Sequence, residues 1–362
     1  MIGHVRIIGT GLIGTSLGLA LRAQEVEVSL VDPSPTACTL ARDLGAGRLA
    51  VDDDDPDLVV VAAPPDVTAP AVADALRAHP RAVVTDVASV KWAILEELLR
   101  LDVDRSRYVG SHPMAGRERS GAIAGRVDLF VDRPWVVVGH EESSRAAVDA
   151  VVEVARLAGG SPVSMPAREH DDAVAAVSHV PQVASSLVAA RLRELGTPAV
   201  GLAGQGLRDV ARIAASDPTL WTKILVGNAG AVASVLRAVE ADLGAVIAAL
   251  DDLTDDPDAD APGARATLAA MLSDGNAGQA RIPGKHGEAP SVYEVVTVLI
   301  PDEPGNLGRI FTDVGDEGVN IEDVRIEHAT GRLAGVVELF VTPAAADPLR
   351  AGLLARGWTV TE

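Results

Sequence analysis

A glycine-rich turn near the N-terminus limits the folds open to this chain more than any other feature. It has the spacing GxGxxG and consists of Gly9, Thr10, Gly11, Leu12, Ile13 and Gly14. The turn directly follows the apolar run Val5–Ile8 and opens a helical pattern over Leu12–Arg22. Between a strand and a helix, such glycines allow a tight turn and the close approach of a pyrophosphate to the helix N-terminus. The turn therefore predicts a strand–turn–helix unit that binds a dinucleotide.

Short apolar runs alternate with helical patterns through the first 165 residues of the chain. The runs predicted to be strands are Val5–Ile8, Val26–Val31, Leu58–Ala62, Ala82–Asp86, Tyr108–Gly110 and Trp135–Val138. Strands interleaved with helices are typical of βαβ units and of a parallel sheet. We therefore predict an α/β domain of the Rossmann type over residues 1–165.

The remaining 197 residues of the 362-residue chain have two different patterns. Over residues 166–280 Ala, Leu and Val recur at helical spacing, which predicts an all-α domain. Its Ala-rich helices have little polar covering, so we expect them to pack against a second copy of the chain. A Gly- and Pro-rich linker over 281–290 precedes a third unit, 291–362, whose predicted order is βαββαβ, as in ferredoxin-like domains.

An acidic residue beyond the glycine turn selects the dinucleotide. The second predicted strand ends at Asp32, 18 positions after Gly14, where a carboxylate can accept hydrogen bonds from ribose hydroxyls. That carboxylate would also repel a 2′-phosphate, and the next residues, Pro33, Ser34 and Pro35, supply no arginine to bind one. We therefore expect NAD rather than NADP.

Three segments leave predicted strands at the edge where such a sheet binds its ligand. Ala63 and Pro64 end one strand and can lie along the nicotinamide half of the cofactor, Ser89 follows a second, and His112 ends a third. An imidazole held beside the nicotinamide can take the proton of an alcohol during hydride transfer. We interpret His112 as a general base, and we expect Ser89 either to orient it or to hydrogen-bond the same hydroxyl.

Charge and composition exclude several classes of partner. The chain has 31 Lys and Arg against 51 Asp and Glu, a formal net charge of −20, which repels nucleic acid and anionic membranes. We expect no apolar run of the roughly 18 residues that a membrane span needs, no N-terminal signal peptide and, with Cys38 alone, no internal disulfide. These features predict a cytoplasmic protein. The histidine and cysteine spacings give no metal motif.

Four motifs besides the glycine turn, in order along the chain, resemble the prephenate dehydrogenase family. They are Asp86–Lys91, Ser111–Gly116, Ala176–Gln182 and Arg208–Trp221. The resemblance implies a Rossmann domain, a helical dimerisation domain and NAD-dependent oxidative decarboxylation of prephenate to 4-hydroxyphenylpyruvate in tyrosine biosynthesis. The C-terminal unit is similar to an ACT domain, which implies regulation by an amino acid such as tyrosine near Gly305 and Asn306.

The resemblance also implies roles for individual residues. His112 matches the family's catalytic histidine and Ser89 the serine beside it, while Arg212 matches the arginine that binds a substrate carboxylate. Residues matching others near the substrate are His179, Trp221 and Glu118. Arg117 stands where we expect a threonine, and it could add positive charge for a dianionic substrate.

Three other functions fit parts of the same pattern. The first is dehydrogenation of arogenate, which carries an amino group in place of the side-chain keto oxygen of prephenate. The second is a hydroxyacid dehydrogenase with a lysine base, for which Lys223 is the one lysine in the helical region. The third is a non-catalytic sensor of NAD and amino acids, against which the set Ser89, His112 and Arg212 argues.

Overall fold

The computed structural model describes residues 2–116, 120–255, 263–283, 293–301, 303–328 and 334–361. These residues form two compact units, Met1–Ala241 and Asp242–Glu362.

An eight-stranded sheet is the centre of the first unit. Its strands are β1 (His4–Ile8), β2 (Glu27–Val31), β3 (Arg48–Leu49), β4 (Leu58–Val61), β5 (Val83–Asp86), β6 (Tyr108–Pro113), β7 (Pro134–Val138) and β8 (Ser161–Ser164). They lie in the order β3-β2-β1-β4-β5-β6-β7-β8. All neighbouring strands are parallel except β6 and β7, so the predicted parallel sheet is confirmed from β3 to β6. Beyond β6 the sheet is mixed, because β7 runs antiparallel to β6 and β8 then pairs with β7 in parallel.

Helices cover both faces of this sheet. They are α1 (Leu12–Ala23), α2 (Pro35–Asp43), α3 (Pro65–Ala78), α4 (Trp92–Arg100) and α5 (Arg145–Leu157). Strand β4 shows why both faces must be covered, since Leu58 and Val60 join one buried apolar cluster and Val59 and Val61 join another. A strand buried on both faces has a continuous apolar sequence, as the sequence pattern indicates.

The strand order reverses beside β1, whose neighbours are β2 on one side and β4 on the other. In open α/β sheets a ligand binds at such a reversal, beyond the carboxyl ends of the strands. Gly9 follows β1 there with a φ of +101°, and a Cβ at this position would overlap the carbonyl oxygen of Ala62. A Cβ at Gly14 would overlap the carbonyl oxygen of Gly9. Both positions therefore require glycine, and the crevice lies where the sequence predicts a cofactor.

The chain after β8 is helical, as predicted. Its helices are α6 (Ala167–Val174), α7 (Val180–Arg191), α8 (Thr197–Val200), α9 (Gln205–Arg212), α10 (Pro218–Gly227) and α11 (Ala229–Asp255). A π-helical turn, Ala175–His179, joins α6 to α7. The helical run over 167–194 is long and apolar enough to span a membrane by length and composition, although the sequence analysis expects no such run. Core helices of water-soluble proteins meet the same criterion, and this run buries His170, Asp171 and His179 among hydrogen-bond partners.

The second unit contains a small antiparallel sheet. Its elements after α12 (Ala264–Gln279) are β9 (Glu294–Pro301), α13 (Asn306–Asp316), β10 (Asp323–His328), β11 (Ala334–Val341), α14 (Pro343–Ala355) and β12 (Thr359–Thr361). The strand order is β10-β11-β9-β12, and both α13 and α14 contribute to its buried apolar cluster. The predicted βαββαβ order is confirmed. Helix α14 begins at Pro343, four residues earlier than predicted, because proline is well accommodated in a first helical turn.

Candidate active site

Asp32 binds the glycine turn in this structure. Its Oδ2 accepts hydrogen bonds from the backbone N and the Oγ1 of Thr10, at 2.7 and 2.9 Å, and its Oδ1 accepts one from Ser34 N at 2.8 Å. An ionised carboxylate has about four acceptor positions, so one remains for a ribose hydroxyl. The side chain thus has a structural role in addition to the role predicted for it.

The glycine turn leads into α1, and no side chain in the described part of the chain caps the first backbone N–H groups of that helix. Gly11 is the N-cap, and Leu12 and Ile13 form the first helical positions after it. The first N–H groups of a helix have no partner within the helix, and they attract anions such as phosphate. Ala63 and Pro64 stand opposite this turn at the end of β4, where both carbonyls accept from Thr68 Oγ1 at 3.2 and 2.9 Å. The residues at this end of the sheet fit a dinucleotide.

His112 lies near the end of β6, and a second imidazole contacts it. Its Nδ1 is 2.9 Å from Nε2 of His170, and the two ring centroids are 5.1 Å apart in an edge-to-face arrangement. Burial, reinforced by the charges that His170, Lys91 and His179 can carry, holds the pKa of His112 well below its usual value. The ring is therefore neutral at neutral pH, as a general base must be.

His170 in turn contacts Asp171, and the sequence analysis identifies neither residue. His170 Nδ1 is 2.8 Å from Asp171 Oδ1, and both side chains are almost completely buried. The Asp171 carboxylate also accepts from the backbone N of Lys91 at 2.8 Å and of Trp92 at 2.9 Å. The sequence signal that could have identified them is an adjacent His-Asp pair in an Ala-rich region. Polar side chains buried in such a region need hydrogen-bond partners, so the pair is a candidate for a buried network.

A buried ion pair lies beneath the loop between β5 and α4. The Lys91 ammonium pairs with Asp86 and donates to the carbonyl of Ser111 at 2.7 Å, while Tyr108 OH donates to Asp86 at 2.8 Å. Burial lowers the pKa of Lys91, against the opposing effect of Asp86. Lys91 is also the N-cap of α4.

Ser89 lies in the same loop and is partly buried. This loop and His112 are brought to one edge of the sheet, because β5 and β6 are parallel neighbours. Among the described residues no hydrogen bond joins Ser89 to His112 directly. Of the two roles expected for Ser89, a hydrogen bond to the substrate hydroxyl therefore remains a prediction.

His179 belongs to the same buried network through an asparagine that the sequence analysis also misses. Asn228 Nδ2 donates to the carbonyl of Asp171 at 2.7 Å and lies 3.2 Å from His179 Nδ1. The rings of His179 and Trp221 meet edge to face with centroids 6.1 Å apart. Burial lowers the pKa of His179 to about 4, although the Asp171 carboxylate opposes this shift.

Arg212 ends α9, and its side chain is exposed. Helix α9 packs against α7, where Ser185 Oγ donates to the carbonyl of Val210 at 2.6 Å. The segment after α9 contacts α7 as well, since Ser216 Oγ lies 3.3 Å from Oε1 of the buried Gln182. These contacts fix the motif that contains Arg212 against the helix that follows His179.

The other predicted site residues lie elsewhere. Arg117 and Glu118 fall outside the described residues. Gly305 and Asn306 belong to the second unit, where Gly305 is the N-cap of α13 with a φ of +96° and Asn306 Nδ2 donates to the carbonyl of Pro301 at 3.2 Å.

One group of side chains away from this site has atoms close enough to share a metal ion, namely His4, Glu27 and Asp54. Both carboxylates already pair with the Arg48 guanidinium, and Asp54 pairs with Arg6 as well. Hydrogen bonds from Arg48 above all hold the pKa of Asp54 well below its usual range. The arrangement is an ion-pair network, and the guanidinium groups neutralise the carboxylates that a cation would need.

The low pKa of His179 predicts a pH-dependent contribution to stability. Between pH 6.5 and about 4 the unfolded chain binds a proton at this position that the folded protein does not, so acidification favours unfolding. Over that interval wild-type protein should lose roughly 3 kcal/mol more free energy of unfolding than a His179→Gln variant. Urea unfolding of both proteins at several pH values measures this difference, and parallel pH profiles would contradict it.

Comparison with known proteins identifies the family. The family model described as "Prephenate dehydrogenase, nucleotide-binding domain" matches residues 17–163, and "Prephenate dehydrogenase, dimerization domain" matches residues 166–261. The probable prephenate dehydrogenase NovF of Streptomyces niveus is 37% identical over 97% of this chain and 98% of its own length. The cyclohexadienyl dehydrogenase of Zymomonas mobilis is 33% identical over 66% of this chain and 86% of its own.

A solved structure shares the fold. Prephenate dehydrogenase from Aquifex aeolicus, crystallised with hydroxyphenyl propionate and NAD⁺, superimposes with a TM-score of 0.67 and 24% identity, over 78% of this chain and 99% of that one. The predicted nucleotide-binding domain is confirmed, as is the family resemblance carried by the sequence motifs. This chain belongs to the prephenate dehydrogenase family.

Proposed function

We propose that this protein catalyses the NAD-dependent oxidative decarboxylation of prephenate to 4-hydroxyphenylpyruvate in tyrosine biosynthesis, in the cytoplasm. The observation that carries the proposal is the position of His112, which lies partly buried at the carboxyl edge of the sheet in contact with His170, where burial lowers its pKa. Hydride loss from a carbon that bears a hydroxyl requires a group that accepts the hydroxyl proton, and a neutral imidazole is suited to that role. The names of the related proteins from S. niveus and Z. mobilis support the substrate class.

The residues of the crevice fit NAD. Glycines at positions 9 and 14 allow the tight turn, because a Cβ at either position would overlap a backbone carbonyl, and the N-terminus of α1 presents N–H groups to the pyrophosphate. The Asp32 carboxylate favours a free ribose 2′-hydroxyl over a 2′-phosphate. Bound there, NAD⁺ would supply the acceptor for the hydride that leaves the hydroxyl-bearing ring carbon.

The chain's own residues then have separate tasks. His112 accepts the proton of the ring hydroxyl, and Ser89 hydrogen-bonds the same hydroxyl. Carbon dioxide leaves with its bonding electrons retained by the ring, which becomes aromatic. Arg212 binds one of the two carboxylates, and His179 and Trp221 border the ring. Arg117 and Glu118, outside the described residues, keep the substrate-binding roles that the family resemblance implies. A local cationic group is needed because a net charge of −20 otherwise repels a dianion.

A lysine-based hydroxyacid dehydrogenase receives less support. Lys223 Nζ pairs with Asp66 Oδ2 at 3.0 Å on α3. This ion pair occupies the Lys223 ammonium and gives α10 a contact with α3 of the nucleotide-binding domain. His112 is the better placed base.

We also propose that the protein is a homodimer formed by the helical residues 166–280. Large apolar side chains are exposed there, among them Val177 (68% exposed), Leu202 (86%) and Val226 (72%). Exposed apolar area of this kind is typical of a protein–protein contact surface. The matching family model is itself described as a dimerization domain.

The C-terminal residues 291–362, after a linker over 281–290, are proposed to be an ACT-like regulatory domain that binds tyrosine near Gly305 and Asn306. Titration calorimetry of the full chain with tyrosine should show binding, and tyrosine should inhibit turnover. An Asn306→Ala variant should bind several-fold more weakly. Absence of heat together with unchanged kinetics would contradict the proposal.

The proposed reaction is tested by NADH formation from the purified full-length protein. We expect turnover with prephenate and NAD⁺, and much less with NADP⁺, because Asp32 opposes its 2′-phosphate. Parallel reactions with arogenate decide the preference between the two substrates. Turnover with arogenate alone would retain the mechanism and change the substrate, while NAD binding without any turnover would favour a sensor.

A His112→Asn variant is the control for the proposed base. It should lower kcat by about 10²–10⁴-fold, the usual value of general-base catalysis, with little change in KM. An unchanged kcat would remove His112 from the mechanism even if prephenate is the substrate.

A further inference from the structure

We infer that His170, acting with Asp171, is a positioning residue that holds His112 in the tautomer with its hydrogen on Nδ1 and its lone pair on Nε2. The inference rests on the proposed function only in taking His112 as the base. It assigns a purpose to two buried polar side chains of α6 outside the predicted set, which contact each other and, through His170, His112.

The direction of the chain of hydrogen bonds is set at Asp171. Its Oδ1 accepts from the backbone N of Lys91 and its Oδ2 from that of Trp92, and backbone N–H groups can only donate. The carboxylate therefore acts as an acceptor at both oxygens. Its third contact, His170 Nδ1 at 2.8 Å, must then carry a hydrogen and donate it.

That hydrogen determines the state of the next nitrogen. With Nδ1 protonated, the neutral imidazole of His170 has a lone pair on Nε2. This lone pair faces His112 Nδ1 at 2.9 Å, a distance that requires one hydrogen between the two nitrogens. His112 Nδ1 therefore donates, and its own lone pair is left on Nε2.

For the reaction, the consequence is that His112 already has a lone pair on Nε2 before the substrate binds. The proton of the substrate hydroxyl passes to Nε2 of His112, and no other covalent bond of the protein changes. The resulting imidazolium keeps its Nδ1–H bond to His170, and the Asp171 carboxylate stabilises the positive charge from behind His170. A carboxylate that orients a catalytic imidazole in this way is a general device for selecting the tautomer.

Replacing His170 separates this role from packing. His170→Leu removes the acceptor, whereas the side-chain oxygen of His170→Gln can still accept from His112 Nδ1. We expect His170→Leu to lower kcat by roughly 10²–10³-fold with KM within about twofold, and His170→Gln to recover at least tenfold of that loss. His140→Leu, which truncates another partly buried histidine of the same unit, should leave kcat unchanged.

Nitrogen NMR of the full-length protein labelled at histidine reports the tautomer without any need for turnover. Wild-type His112 should carry its hydrogen on Nδ1, and in His170→Leu the hydrogen should move to Nε2, the preferred position in water. A wild-type His112 protonated at Nε2, or His170 protonated at both nitrogens at neutral pH, would overturn the inference.

The kinetic outcomes are equally decisive. An unchanged kcat in His170→Leu, or a folded His170→Gln with no recovery over the leucine variant, would assign His170 to packing alone. If the protein has no activity on prephenate or arogenate, the proposed function fails, and the NMR result still decides the tautomer. If His170→Leu does not fold, the wild-type spectrum and His170→Gln remain as tests.

Discussion

The Asp171 carboxylate is the interaction on which the site depends. It lies on α6, in the helical part of the first unit, yet two of its three hydrogen bonds go to backbone N–H groups at the start of α4, 79 and 80 residues away in the chain. A carboxylate at a helix N-terminus is favoured by the helix dipole and by donors that have no partner within the helix. The same side chain orients His170, and its backbone carbonyl accepts from Asn228. One buried anion thus connects the sheet edge to the helices that carry His179 and Trp221.

Buried charge also sets the electrostatics around His112. The Lys91–Asp86 pair is costly to remove from water, and it persists because Tyr108, Ala88 and the carbonyl of Ser111 satisfy its remaining groups. The Lys91 ammonium lies near enough to His112 to disfavour protonation of that imidazole. The nucleotide-binding domain therefore supplies the position of the base and, through Lys91, one of the charges that add to burial in lowering its pKa.

Sequence alone predicts the parts of this site that depend on local geometry. The glycine turn, Asp32 and the strand end at His112 are recognisable because strand–turn–helix units impose their own spacing, and the βαββαβ order of the second unit follows from periodicity. The antiparallel β7 was not predicted, because an apolar run has no direction in the sequence. His170, Asp171 and Asn228 were missed because their roles arise only when α6 and α10 pack against the sheet edge. The contacts involved join residues that are 49 to 80 positions apart in the chain.

The most direct test of a buried, neutral base is the pH dependence of kcat/KM for wild-type protein with prephenate and NAD⁺. If burial and neighbouring positive charge keep His112 neutral, activity requires only that it stay unprotonated, and it is lost as the pH falls through the pKa of the folded protein. We expect an acid limb whose apparent pKa lies well below 6.5. An acid limb at or above 6.5 would show that His112 is not held neutral by its surroundings, and would contradict the central role of the buried network.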